Sequence, residues 1–158
     1  FWPQGYRGPI GDNGCGIFLI GDLWKDELAQ IVPLAGRHRA HKVLLLSSVL
    51  MRRNLLRIME MLRMAAPSWS EAIELRVAVT EQEFWGGNII VGDLNMVSDF
   101  ITTLGNILVR TDYRPDLVVI PSSFANSWGF DLQGRSFREI EWTFDIPVER
   151  IVVKRIYL

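Results

Sequence analysis

Asp93 and Asp99 are six residues apart across an expected strand–helix junction, and Ser122 and Ser123 follow the apolar run DLVVI. Two carboxylates converging at a sheet's carboxyl edge could bind a metal or divide acid and base roles. Strand ends are also a frequent place for catalytic groups in α/β sheets. A serine nucleophile needs a base and an oriented acid. The chain has two histidines and no Gly-x-Ser-x-Gly elbow. Plainer roles compete: Asp93 as a helix cap, Asp99 as a solvated carboxylate, and the serines as turn closers.

A second candidate is EFWGG, where Phe84 and Trp85 meet Gly86 and Gly87. The glycines permit positive φ and close approach of another chain or ligand. The pair then forms either an aromatic platform at the sheet's edge or, more economically, a turn whose aromatics cap the core. A third candidate is GPIGDNGCG, whose Gly14 and Gly16 precede an expected helix and could offer amides to an anion. No Gly-Lys-Ser/Thr follows, so it is not a P-loop, and an irregular loop leading into the helix is the simpler reading. His38 and His41 are spaced for a shared metal, but Arg37 and Arg39 beside them would repel a cation. A solvated basic loop is the expectation there, with no metal.

Composition narrows the classes. Apolar residues are 49% and charged residues 22% of 158, a globular balance long enough for one domain with its own core. The net charge of −1 provides no field to recruit nucleic acid or an anionic membrane. No apolar run approaches the roughly 18 residues of a spanning helix. The start FWPQGYRGP does not read as a signal peptide, and it opens on Phe1 where an initiator methionine would stand. A cytoplasmic location and a fragment of a longer protein are the expectations. Cys15 is the one cysteine, so this chain can form neither an internal disulfide nor a cysteine-ligated cluster.

The elements that must position these residues are readable in outline. Residues 1–14 read as an arm or linker, and 15–158 as a single α/β domain. A helical stripe runs from about Cys15 to Gln30, ended by Pro33 and Gly36, with GRHRAH as loop. HKVLLLSS suits a strand buried on both faces. A helix follows over about Val49–Met64 and is stopped by Pro67. Ile73–Thr80 and NIIVGDL read as strands. A helix starts at Asn95 or Ser98, DLVVI is another strand ending at Pro121, and Ser136 with Glu139 opens a short helix. RIVVKRIYL is the last strand. The alternation implies a mixed, partly parallel sheet of roughly four or five strands covered by helices.

Taken in order, several segments resemble the C-terminal domain, of unknown function, of bacterial proteins that carry a PDZ-like segment and a radical-SAM iron–sulfur region upstream. The matching segments are DNGCGIF, QEFWGGNIIVGDLNMVSD, VVIPSS and SFREIEWTFDIPVERIVV, spanning most of residues 12–155. Several polar family positions differ: Leu19 stands for an arginine, Gln82 for an asparagine, and Gln133–Gly134 for an acidic pair. The resemblance implies an accessory domain that binds a substrate or the upstream module, beside S-adenosylmethionine and iron–sulfur chemistry that this chain does not itself carry. Its binding surface would comprise the Phe84–Gly87 turn, Asp93, Asp99, the Pro121–Ser122 strand end, and Gly14 and Gly16. The alternatives are a stand-alone enzyme using Asp93, Asp99 and Ser122, or a homodimeric module joined through an edge strand or exposed aromatics.

Overall fold

The computed structural model describes residues 28–49, 52–65, 71–84, 86 and 94–152. The expected arm, most of the first helix and the NIIVGDL strand except Leu94 lie outside them. Along the chain, α1 is Ile31–His38, β1 Lys42–Ser48, α2 Arg52–Ala65, β2 Glu74–Thr80 and α3 Val97–Arg110. These are followed by β3 Leu117–Pro121, a 3₁₀ turn Ser122–Phe124, α4 Arg138–Phe144 and β4 Val148–Ile151. The four strands lie in the order β2-β1-β3-β4, and every described pairing is parallel. The α/β class is the observed one. Among the described residues no helix is long and apolar enough to cross a membrane.

Both faces of the sheet are covered. Val43, Leu45, Leu117 and Val119 pack with α1 and α2 through Ile31, Leu34, Leu55 and Met59. Leu44, Leu46, Val118 and Ile120 pack on the other face with Phe100 and Leu104 of α3 and Ile140 of α4. Successive strand residues point to opposite faces, so the runs Val43–Leu46 and Leu117–Ile120 are apolar at every position. The amino edge is fixed by Asp116, whose Oδ2 accepts the His41 and Lys42 N–H groups at 2.9 and 2.8 Å.

Two helix boundaries differ from expectation. α1 continues through Pro33 and Gly36, so Gly36, Arg37 and His38 are helical and not loop. Pro33 lies in the first turn, where a missing N–H costs little. The helix is stopped by Arg39 at φ 52°, whose N–H turns back to Ala35 and Gly36, while Ala40 N–H reaches the Ala35 carbonyl at 2.8 Å. This is the geometry that glycine usually supplies at a helix end. α3 starts at Val97, between the expected Asn95 and Ser98, and two aspartates serve its first turn, as described below.

Tyr113, between α3 and β3, is 6% exposed, and its hydroxyl has no hydrogen-bond partner among the described residues. The Arg76 guanidinium lies 4.0 Å from the ring centroid. Burial, then Glu74, with Asp116 adding and Arg76 opposing, pushes the phenol from 10.0 up to about 12. The folded state therefore holds this proton where the unfolded chain has lost it. Its contribution to stability is complete below about pH 10 and is lost as pH rises toward about 12. Tyr113→Phe is expected to flatten that alkaline decline in urea midpoints while changing neutral-pH stability by less than about 1 kcal/mol.

Candidate functional site

In a parallel sheet of this kind the carboxyl ends of the strands collect the loops and the N-termini of the following helices. Here that edge carries Ser48, Thr80, Pro121 and Ser122, together with the start of α3. Ser48 and Thr80 face each other in the β1–β2 register and are 2% and 1% exposed. Their hydroxyls and the amide of fully buried Asn95 have no hydrogen-bond partner among the described residues. Such groups cost about 1–3 kcal/mol each when left unpaired, so polar atoms are concentrated where an α/β sheet receives ligands.

Two buried aspartates build the start of α3. Asp99 is 2% exposed and is not the solvated carboxylate expected. Its Oδ2 accepts Met96 N–H at 2.8 Å, and its Oδ1 accepts Glu83 and Phe84 N–H at 3.1 and 3.4 Å. It thereby ties the turn after β2 to the first turn of α3. Asp131 is 6% exposed. Its Oδ2 accepts Val97 N–H at 2.8 Å, and its Oδ1 accepts Gln133 and Arg135 N–H at 2.9 Å each. Negative charge at a helix N-terminus meets unpaired amides and the positive end of the dipole.

Asp131 also anchors the long loop between the 3₁₀ turn and α4. Asn126 Oδ1 accepts Trp128 and Phe130 N–H, both at 3.0 Å, in an Asx-type turn. Gly129 has φ +90°, and a Cβ placed on it would lie 2.6 Å from the Phe137 ring. Only glycine lets this backbone cover that ring. Phe137 N–H donates to the Gly129 carbonyl at 3.0 Å, closing the loop. At the foot of α4, Ser136 N–H donates to Glu139 Oε1 at 3.2 Å, and Ser136 Oγ accepts Arg138 N–H at 3.3 Å. Ser136 and Glu139 therefore open the helix as expected.

Between this loop, β4 and the end of β3 lies an open cleft of about 570 Å3. Ser122, Asn126, Ser127, Phe137, Arg138 and Arg150 are among the residues that line it. The guanidinium carbons of Arg138 and Arg150 each lie 4.7 Å from the Phe137 ring centroid. Arg150 donates to the carbonyls of Asn126 and Ser127 at 3.2 and 3.4 Å. Arg138 pairs with Glu141 at 2.6 Å. Burial, and then the neighbouring Arg138 charge, lower the Arg150 pKa from its ordinary value.

Of the residues singled out by sequence, Ser122 lines this cleft and Pro121 is buried at the end of β3. Phe84 is 49% exposed, and Gly86 has φ +70° with open space around it, so this part of the turn faces solvent. Phe84 N–H donates to Asp99 Oδ1, as described above. Trp85, Gly87, Asp93, Gly14 and Gly16 lie outside the described residues. His38 pairs with Glu149 at 2.8 Å, while His41 Nδ1 lies 3.4 Å from the Ala72 carbonyl. Asn126, Asp131, Phe137, Arg138 and Arg150 escaped sequence reasoning. One signal was present: SWGF at 127–130 is a second aromatic–glycine turn, beside the EFWGG that drew attention.

Compared with known proteins, the chain matches no family model, no curated protein sequence and no solved structure.

Proposed function

We propose that this chain is a small-molecule-binding domain whose ligand sits beyond the carboxyl end of β3, against β4 and the 125–137 loop. The observation that carries the reading is the cleft itself. Its size of about 570 Å3 is in the range of ligand pockets, and it opens at the sheet edge where parallel α/β folds take ligands. Its walls combine hydroxyls, an amide and guanidinium groups over one aromatic ring. In the accessory role that the family resemblance implies, the domain presents a substrate to an upstream radical-SAM-like module and carries no cluster of its own. Binding is favoured over the carboxylate–serine enzyme because both oxygens of Asp99 are held by backbone amides.

The test is an amide-resolved NMR titration with a fragment set containing neutral, cationic and anionic compounds. Saturable shifts are expected at the amides of Ser122, Ser127, Phe137 and Arg150. Shifts scattered over the surface, or none, would refute a ligand site here.

Self-association is a second reading, favoured by one observation. Trp128 and Leu132 on the cleft loop are 81% and 68% exposed, with Phe130 between them half-exposed. Large apolar side chains grouped this way often mark contact surfaces. Light scattering over a concentration series distinguishes it: a dimer requires a mass near twice the 18.1 kDa of the chain.

A further inference from the structure

We infer that the ligand of this cleft carries an oxyanion, a carboxylate or a phosphate, held by Arg150 and Arg138 above the serine and asparagine rim. The inference rests on the cleft being a ligand site, as proposed above, and specifies which chemistry it accepts.

The charges around the cleft are unequally matched. Glu141 satisfies Arg138 at 2.6 Å. Glu149 also lines the cleft, but its Oε1 is engaged by His38 at 2.8 Å and by Arg37 at 3.5 Å, both from α1. Arg150 makes no ion pair with any described residue. Its two donated bonds go to neutral carbonyls, which orient the guanidinium without cancelling its charge.

A second guanidinium shares the same aromatic ring, so the two cations repel through a region partly shielded from water. Burial first, and then that repulsion, lower the Arg150 pKa. An arriving anion would offset the repulsion and replace lost hydration with charge-assisted hydrogen bonds. Each cation is attracted by the ring face, which helps hold the pair together while the site is free.

The geometry also suits the fork chemistry of arginine. Each side chain is held in place: Arg150 through Nη1 and Nη2 by the carbonyls of Asn126 and Ser127, and Arg138 through Nη1 by Glu141 and the Val148 carbonyl at 3.5 Å. Bracing lowers the entropy lost when a planar guanidinium meets a planar or tetrahedral oxyanion. Ser127 brings a hydroxyl to the same cleft, and it can donate to one of the anion's remaining oxygens. A cationic ligand would meet the Arg150 charge, which no described carboxylate pairs, and a purely apolar one would bury it unpaired.

The experiment titrates the protein with inorganic phosphate, acetate and neutral acetamide at low ionic strength, followed by amide shifts, for wild type, Arg150→Gln, Arg150→Lys and Arg138→Gln. Phosphate or acetate is expected to saturate shifts at Ser127, Phe137 and Arg150, and which of the two binds tighter names the source. Arg150→Gln should weaken binding at least tenfold, with Arg150→Lys intermediate. Unchanged amide shifts in β1 and α3 verify the fold of each variant, and Arg138→Gln provides the same test if an Arg150 variant fails that control. Anion binding unaltered by removing either arginine overturns the inference. If acetamide or neutral fragments occupy the cleft while anions do not, the oxyanion chemistry fails and the binding domain stands. If neither class binds there, both fail.

Discussion

Asp99→Ala is expected to lower the unfolding free energy by about 3 kcal/mol, since hydrogen bonds to a charged acceptor contribute about 1.5–3 kcal/mol each and those at the looser turn contribute less. The reason is geometric. One buried side chain accepts three backbone N–H groups from two stretches of chain, at 2.8, 3.1 and 3.4 Å. Alanine leaves Met96 N–H without an acceptor at a helix start, where Met96 itself is fully buried. Glu83 and Phe84 are exposed, so their amides can turn to water, and the turn after β2 should loosen as they do. In a domain of this size the change corresponds to roughly 6–12 °C in Tm. Asp99→Asn sharpens the test: it keeps the shape but sets an NH2 group against N–H donors, and it should recover only part of the loss. Chemical denaturation measures the total, and hydrogen exchange at Glu83 and Phe84 reports the local release. Wild-type exchange at those two amides in Asp99→Ala would refute the clamp.

Gly129→Ala is expected to cost about 2–6 kcal/mol, from backbone strain of about 1–3 kcal/mol at positive φ plus overpacking of similar size. The new Cβ would stand 2.6 and 2.8 Å from two carbons of the Phe137 ring. Phe137 is only 8% exposed and is flanked by Arg138 and Arg150, so it has little room to retreat. Moving it disturbs both guanidinium groups, and the variant should therefore lose affinity in the cleft along with stability. Combining Gly129→Ala with Phe137→Leu separates the two causes. Leucine relieves the contact but not the strain, so the double variant should be more stable than the sum of the single changes predicts. Simple additivity in denaturation midpoints would show that the ring contact contributes nothing.

How much of this was legible beforehand follows from the range of the interactions. KVLLLSS and LVVIP announce strands because burial on two faces demands unbroken apolar runs. The opening of α4 was legible because Ser136 and Glu139 bond across three residues. The end of α1 was not. A left-handed Arg39 replaces the glycine that a sequence reader looks for, so Gly36 was read as the stop although the helix passes through it. By sequence Asp99 reads as solvated, because its donors at Glu83 and Phe84 are 16 and 15 residues away. Asp131 is further removed still, since Val97, whose amide it caps, lies 34 residues earlier.

Hydrophobic patterning by itself determined that this chain forms alternating strands and helices and that its sheet is covered on both sides. These follow from which residues can leave water within a few positions of one another. Which polar side chains meet was decided only by the tertiary structure. The strand order β2-β1-β3-β4 and the path of the 125–137 loop bring Arg138 of a helix and Arg150 of a strand onto one phenylalanine ring. Local periodicity carries no record of that, because pairing across a sheet edge depends on how distant segments close on each other and not on the spacing within any of them.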